Sequence, residues 1–177
     1  MKKQSAGIVL YRKTAVIEVF LAHPGGPFWA KKDAAAWSIP KGEYQDDEDE
    51  LSAAKREFKE ETGQEVPGSA FVSLGDFKVT SNKIVKAWAA EGDIDPKHVK
   101  SNTFEMEWPP KSGKTSEFPE VDKVAWFPLA VAVEKVTKGQ VQIIEKLAEL
   151  LGVDIATQIT PDADAPANMD DSQISLF

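Results

Sequence analysis

The sequence contains no cysteine, only two histidines and no long apolar segment. Without cysteine the chain can form neither a disulfide framework nor a thiolate zinc site, and it has no cysteine nucleophile. No apolar run approaches the roughly 20 residues that a transmembrane helix needs. The first residues, MKKQSAGIVLYR, have too short an apolar stretch for a secretory signal peptide. We therefore expect a soluble cytoplasmic protein.

Positive charge is also scarce. The 177 residues include 21 Lys plus Arg and 29 Asp plus Glu, so the formal net charge is −8. Such a chain has no general field that draws it to nucleic acid or to an anionic membrane, and an anionic substrate would need cations as mediators. The length and the hydrophobic fraction of 42% fit one globular domain, expected over residues 1–152, followed by an acidic tail over residues 153–177.

Short runs rich in β-branched and aromatic residues, separated by turn residues, predict a sheet. The first two runs are separated by two polar residues, which is typical of a strand pair. Loops rich in Gly and Pro are expected over residues 23–36 and 109–120. The predicted strands are residues 5–12, 15–22, 71–79, 83–90, 103–108 and 122–127.

Helices are predicted in the middle and at the end of the domain. Strong helix formers fill residues 48–62, with Asp46 or Asp47 as the candidate N-cap and Gly63 as the residue that ends the helix. Residues 140–151, preceded by a shorter helix, have apolar side chains at helical spacing and predict a face that packs on the sheet. This order of elements indicates a mixed sheet covered by helices.

The central predicted helix carries three glutamates on one face. Glu57, Glu60 and Glu61 are spaced i, i+3 and i+4, and at about 100° per residue they fall within an arc of roughly 100°. Such crowding raises carboxylate pKa values and costs helix stability unless cations neutralise the charge. One interpretation is a solvated face balanced by the Lys and Arg residues of the same helix. The other is a site that binds cations.

The surrounding residues favour the second interpretation. From Gly42 onward the chain reads GEYQDDEDELSAAKREFKEETG, which resembles the Nudix hydrolase signature Gly-x5-Glu-x7-Arg-Glu-U-x-Glu-Glu-x-Gly-U, where U is a bulky aliphatic residue. The last U is Gln64, a departure that concerns packing after the helix more than chemistry. The positions that match the signature are Gly42, Glu48, Arg56, Glu57, Phe58, Glu60, Glu61 and Gly63.

The resemblance implies an α+β Nudix fold, with a mixed sheet between helices in an α/β/α arrangement. It also implies hydrolysis of a nucleoside diphosphate linked to another group, with magnesium, or manganese in its place, as the cofactor. Carboxylate oxygens and substrate phosphates suit such a hard cation. Glu120 occupies the place of an additional metal-binding glutamate in the diadenosine-polyphosphate and related branches. The implied metal ligands are the Gly42 carbonyl, Glu57, Glu60, Glu61 and Glu120.

Catalytic roles follow from the resemblance and from local chemistry. A water polarised by metal or held by a carboxylate would attack phosphorus. The general base stays open among the glutamates named above, with Glu60 or Glu61 favoured. Arg56 is expected to hold Glu48 and Glu57 through its planar guanidinium rather than to bind phosphate.

Several residues near the signature are candidates for contact with substrate. Lys41, next to the signature glycine, is the candidate phosphate contact, and Lys32 in the preceding loop either meets phosphate or is solvated. Trp37 is the tryptophan we expect to stack on a base, because it begins the segment WSIPKG. His23 is interpreted as a structural loop residue, since a magnesium mechanism does not need imidazole.

The choice of substrate lies outside the signature. The segment WSIPKG is similar to the corresponding segment of the diadenosine-polyphosphate branch, but Thr80 stands where many of those enzymes have tyrosine. The proline that marks ADP-ribose enzymes at a similar distance is also missing. A dinucleoside polyphosphate or a nucleoside triphosphate is therefore expected. The alternative is a non-catalytic, nucleotide-binding Nudix module, against which stands the full set of signature carboxylates.

The end of the chain carries a separate motif. Residues Gln173–Phe177, QISLF, resemble the pentapeptide by which bacterial replication and repair proteins dock on the sliding clamp. An extended segment with apolar anchors can fill a surface groove at modest entropic cost. The resemblance implies a clamp partner, and the alternative is that these apolar side chains pack on the protein's own surface.

Overall fold

The computed structural model describes residues 2–160, and one central helix separates two groups of strands within this range. The strands are β1 (Lys3–Lys13), β2 (Ile17–Pro24), β3 (Lys41–Glu43), β4 (Phe71–Thr80), β5 (Lys83–Glu91), β6 (Thr103–Glu107), β7 (Thr115–Pro119) and β8 (Val121–Pro128). The helices are α1 (Glu50–Thr62), α2 (Leu129–Lys135) and α3 (Val141–Leu151), with a 3-10 turn, Lys138–Gln140, between the last two.

Six of these strands form one mixed sheet in the order β4-β5-β1-β2-β8, with β3 also paired to β1. β1 and β5 are parallel, and the other pairs are antiparallel. α1 packs on one face of the sheet through Ala53, Ala54 and Phe58, and α2 and α3 cover the other face. The predicted α+β fold, a mixed sheet between helices, is therefore confirmed.

The edge of β1 is shared by two partners. Its first half pairs with β3, where Ala6 lies opposite Gly42, and its second half pairs with β2. Residues 37–40 run between β1 and β2, and the N–H of Ile8 in β1 donates to the carbonyl of Pro40 at 3.1 Å. This split in the sheet places Gly42 next to α1.

The structure differs from the prediction over residues 103–120. Residues 103–108 were expected in the main sheet and residues 109–120 as a loop, but β6 and β7 pair only with each other in a separate two-stranded sheet. Exposed and half-buried residues alternate along both strands. The sequence does not predict β7, because a hairpin that buries one face keeps polar residues at every second position. The Pro- and Gly-rich turn before β7 also dominates the local composition.

The N-cap of α1 also differs from the prediction. The helix begins at Glu50, and the carboxylate of Asp49 accepts hydrogen bonds from the backbone N–H and the hydroxyl of Ser52, each at 2.9 Å. Asp46 and Asp47 are too far back in the chain, because an N-cap side chain bonds the N–H two or three residues ahead.

The helix ends at Gly63, as predicted. Gly63 has φ of 75°, and its N–H donates to the carbonyl of Lys59 at 2.7 Å. A Cβ at this position would also lie 2.6 Å from the carbonyl oxygen of Lys100, so glycine is required twice over. Gln64 follows, and within the described residues its buried amide nitrogen has no hydrogen-bond partner.

The first residues of the expected tail contact the domain. Val153 and Ile155 pack against the core on the α3 side of the sheet. The side chain of Gln158 accepts a hydrogen bond from the N–H of Ile17 at 2.7 Å. These contacts place residues 153, 155 and 158 against the domain, and the expected boundary between domain and tail after residue 152 stays a prediction.

The remaining residues of the chain, 161–177, lie outside the described residues. They include the predicted clamp-binding sequence Gln173–Phe177 and most of the expected acidic tail, both of which stay predictions. Of the helices found within residues 2–160, none has the length and apolar character needed to cross a membrane.

The cap contacts predict which aspartate stabilises α1. We expect Asp49→Ala to lower the thermal midpoint by about 3 °C, because an N-cap acceptor is lost at a helix on which the site depends. Asp47→Ala removes the same charge from the same loop and should leave the midpoint nearly unchanged. Differential scanning calorimetry of both variants measures the difference, and equal midpoints would contradict the assignment of Asp49 as the cap.

Candidate active site on the central helix

The guanidinium of Arg56 binds three acidic side chains of the Nudix signature. It binds the Glu48 carboxylate through two hydrogen bonds, from Nε to Oε1 at 2.8 Å and from Nη2 to Oε2 at 3.1 Å. Its Nη1 donates to Glu57 at 2.8 Å and to Glu60 at 3.2 Å. The hydrogen bonds from Arg56 hold the pKa of Glu48 below its usual range, and the three carboxylates raise the pKa of Arg56. Arg56 thus joins the loop before α1 to two of its glutamates.

Glu57 lies in the space that a side chain at position 42 would fill. A Cβ built on Gly42 would be 2.0 Å from Oε2 of Glu57 and 2.1 Å from its Cδ. Glu57 is only 9% exposed. Burial raises the pKa of its carboxyl, the hydrogen bond from Arg56 lowers it, and the charge of Glu60 raises it again. Position 42 must therefore be glycine if the carboxylate of Glu57 is to occupy this space.

Glu61 is held by the residue that precedes Gly42. Its Oε2 accepts a hydrogen bond from the backbone N–H of Lys41 at 3.2 Å. Burial raises the pKa of Glu61 to about 8, against the lowering effect of the Lys41 ammonium. Burial, and then the neighbouring ammonium of Lys83, lower the pKa of Lys41. Glu61 is therefore a carboxyl that changes protonation state near neutral pH, which is the property required of an acid–base group.

A cavity of about 560 Å³ opens beside Glu61. It lies where β1 and β2 part, between the β4–β5 turn and the 3-10 turn before α3. Glu120 reaches it from the start of β8, and burial together with the charge of Glu60 raises the pKa of Glu120. The charged side chains of its lining are Lys41, Glu61, Lys83, Glu120 and Lys138.

Within residues 2–160, no group of three or more His, Asp or Glu side chains is arranged so that it could hold a metal ion. Arg56 binds Glu57 and Glu60, and the Lys41 amide binds Glu61. The chemistry of the donors nevertheless fits a hard divalent cation. The carboxyls of Glu57 and Glu61 have raised pKa values, to which neighbouring carboxylates contribute, so the cluster is short of positive charge.

Trp37 is not available to stack on a base, which corrects the prediction for it. It is 4% exposed, and its indole N–H donates to Asp33 at 2.8 Å. Its ring packs edge to face against Phe127, with centroids 4.9 Å apart, and against His23 at 5.2 Å. The physical reason is the split in the sheet, because the segment that leads to Gly42 crosses the core between two strands.

His23 and Lys32 anchor the loop between β2 and β3. The His23 ring is fully buried, with Nδ1 2.8 Å from the Asp122 carboxylate and Nε2 2.6 Å from the carbonyl of Lys32. The ammonium of Lys32 lies 4.9 Å from the ring centroid of Trp29, outside the lining of the cavity. Lys32, the candidate substrate contact, therefore lies outside the cavity lining, and His23 is a buried residue of the loop.

Three residues that line the cavity were not singled out from the sequence. Lys83 begins β5, Lys138 begins the 3-10 turn before α3, and Trp29 lies in the loop after β2. None stands near the signature in the chain, and lysines at exposed turns are ordinary. A weak signal did exist for one neighbour, because Thr80, which stands where many enzymes of the diadenosine-polyphosphate branch have tyrosine, also lines the cavity.

The chain resembles known proteins in both sequence and fold. The family model described as NUDIX domain matches residues 1–147. A C. elegans Ap4A hydrolase in a binary complex superposes with a TM-score of 0.59 and 24% identity, over 85% of this chain and 98% of the other. The NUDIX domain of Shewanella oneidensis NrtR, complexed with ADP ribose, superposes with a TM-score of 0.56 and 18% identity, over 85% and 89%. None of the curated proteins compared with the chain matches it. At these identities the structural similarities show the fold.

The raised pKa of Glu61 predicts a pH dependence of stability. Its folded pKa of about 8 exceeds the ordinary value of 4.5, so the folded state binds this proton more tightly between those pH values. Its contribution to stability is complete below the ordinary value and is lost as pH rises through about 8. We expect the wild type to lose at least about 1 kcal/mol more unfolding free energy between pH 5 and pH 9 than Glu61→Gln does.

Urea unfolding in the presence of a chelator measures this difference. Glu65→Gln is the control, because Glu65 lies just beyond the same helix, is exposed and pairs only with Lys59 among the described residues. It should follow the wild type. A Glu61→Gln variant with the pH dependence of the wild type would refute the prediction.

Proposed function

The chain belongs to the Nudix domain family, and we propose that it is a metal-dependent pyrophosphohydrolase acting on nucleotides. The observation that carries this proposal is the meeting of two charge clusters at one cavity. Glu61 of α1 and Glu120 line this cavity together with Lys41, Lys83 and Lys138. In a chain with a net charge of −8, this pairing suits a polyanionic substrate that is bound by lysines and by cations held on carboxylates.

The proposed substrate is a dinucleoside polyphosphate or a nucleoside triphosphate. The three lysines offer contacts to several phosphates, which favours a chain of phosphates over a single diphosphate. The shared fold with the Ap4A hydrolase supports the first class. The NrtR domain complexed with ADP ribose shows that the same fold also accepts that ligand, so ADP ribose is the compound against which the proposal is tested.

The proposed chemistry begins from the charge of the phosphoanhydride, which repels a nucleophile until its oxygens are neutralised. Glu57, Glu60, Glu61 and Glu120, with the Gly42 carbonyl, would hold a divalent cation, magnesium or manganese. When bound, such a cation neutralises phosphate oxygens and polarises water.

The remaining steps belong to the side chains. Lys41 and Lys83 orient the phosphates, and Glu61, which lines the cavity beside them, accepts the proton of the attacking water. Arg56 keeps Glu57 and Glu60 in place. Arg56 is therefore proposed as a positioning residue, because its guanidinium is occupied by carboxylates.

A substrate panel tests the proposed function. The wild type is incubated with dinucleoside polyphosphates, nucleoside triphosphates, ADP ribose and nucleotide sugars, with magnesium, with manganese and with a chelator, and the products are separated by chromatography. We expect cleavage of the first two classes only when the metal is present. Nucleotide binding without any cleavage would instead support a non-catalytic nucleotide-binding module.

Removing one carboxylate charge of α1 should disable the enzyme. We expect Glu60→Gln and Glu61→Gln each to lower kcat by at least about 10²-fold, since each keeps the shape of the side chain and removes the charge that holds the cation. The matched control is Glu65→Gln, which removes an exposed charge near the same helix. Steady-state kinetics on the substrate identified by the panel decides the prediction, and full metal-dependent turnover in both site variants would rule the assignment out.

Replacing the guanidinium should separate positioning from substrate binding. Arg56→Lys keeps the positive charge but cannot contact Glu48 through two bonds and Glu57 at the same time. We expect kcat to fall by about 10²-fold while KM changes little, because misplaced carboxylates affect the reaction more than binding. Lys59→Arg, at an exposed position of the same helix, is the control. Intact kcat with a raised KM would make Arg56 a phosphate contact instead.

A further inference from the structure

An exposed pair of aromatic rings lies at the rim of the cavity and has no part in the chemistry described above. Phe28, in the loop after β2, is 59% exposed, the largest value for a bulky hydrophobic residue within the described range. Its ring meets Trp108, which follows β6, with centroids 5.6 Å apart and planes at 83°. Because perpendicular rings cover each other only at an edge, this aromatic pair leaves ring faces open to a further flat group.

The aromatic pair is fixed to the wall of the cavity. Trp29, the neighbour of Phe28, lines the cavity, as does Glu120. The N–H of Gly25 donates to the carbonyl of Glu120 at 3.0 Å, and the ring of Phe104 lies 3.1 Å from where a Cβ on Gly26 would be. The loop and the β6–β7 hairpin therefore form one surface that extends outward from the active site.

Four lysines lie close in the chain to the two aromatic residues. Two lysines follow Phe28 in the loop, and two lie in the turn that follows Trp108. Within the part of the chain that the structure describes, none of the four forms an ion pair. The glutamates of the hairpin alternate with its apolar residues and occupy its other face. The four lysines are Lys31, Lys32, Lys111 and Lys114.

Open aromatic faces among unpaired lysines match the chemistry of a nucleotide, with a base to stack and phosphates to neutralise. We propose that Phe28 and Trp108 form a second nucleoside subsite, which stacks on the far base of a dinucleoside polyphosphate. This inference rests on the proposed function, since the phosphate chain links the subsite to the cavity. The near nucleoside then lies toward the cavity, and the phosphates pass the lysines of the loop.

The subsite predicts a preference that depends on the second base. Diadenosine tetraphosphate and adenosine 5′-tetraphosphate carry the same number of phosphates, and only the first has two bases. We expect Phe28→Ala and Trp108→Ala to raise KM for diadenosine tetraphosphate by about tenfold, as expected for the loss of one stacking contact. KM for adenosine tetraphosphate and kcat for both substrates should change by less than about twofold. Trp108→Phe, which keeps a ring, should restore most of the difference.

Val72→Ala is the matched control, because Val72 is 47% exposed and lies on β4, at the opposite edge of the sheet from β8. It should leave both KM values unchanged. Equal increases for the two substrates in the aromatic variants would show a merely structural role and overturn the subsite, as would unchanged KM values. Conversion of a dimer to a monomer by Phe28→Ala in sedimentation velocity would also overturn it, since the pair would then join two copies of the chain.

Binding without turnover separates this inference from the proposed function. Titration calorimetry with a methylene-bridged analogue of diadenosine tetraphosphate measures affinity in the absence of hydrolysis. A wild type that cleaves no nucleotide but binds the analogue about tenfold more tightly than Phe28→Ala would refute the enzyme and support the subsite. Equal affinities, or no binding by the wild type, would overturn the subsite whatever the panel shows.

Discussion

The ion-pair network of Arg56 is the interaction on which the candidate site depends. Three glutamates within five residues of one helix face repel one another, and Glu57 is almost wholly removed from water. A buried carboxylate is tolerated only when it is paired and hydrogen bonded. The guanidinium is always charged and has donors on three sides, so it can bind Glu48, Glu57 and Glu60 together. One cation thereby keeps the acidic face of the helix against the sheet.

One guanidinium does not neutralise the cluster. Glu57, Glu61 and Glu120 retain raised pKa values, in each case chiefly because of burial and partly because of neighbouring carboxylates. The remaining deficit of positive charge faces the cavity, where substrate and metal would meet. Lys41 and Lys83, which line the same cavity, carry two neighbouring ammonium groups that repel each other, and this repulsion contributes to the lowered pKa of Lys41. A metal-bound polyphosphate has charges of both signs that would offset the repulsion among the carboxylates and between the lysines, which links these electrostatics to the proposed reaction.

The split between β1 and β2 connects this chemistry to recognition. By admitting residues 37–40 to the core, it buries Trp37 and brings Gly42 against Glu57. With Trp37 buried, the aromatic rings near the cavity are Trp29, which lines it, and the pair formed by Phe28 and Trp108. The fold thus places charged side chains inside the cavity and an exposed aromatic pair outside it.

The sequence by itself determined whatever depends on neighbours along the chain. The single-face spacing of Glu57, Glu60 and Glu61, the helix that carries them and its end at Gly63 follow from helical periodicity and from the φ that glycine permits. Only the tertiary structure decided that Trp37 is buried, that Lys83 and Lys138 line the cavity and that residues 115–119 form a strand. The reason is physical: the helix is stabilised by contacts three and four residues apart, whereas a cavity wall and a buried ring are defined by segments that approach each other only after the sheet has formed.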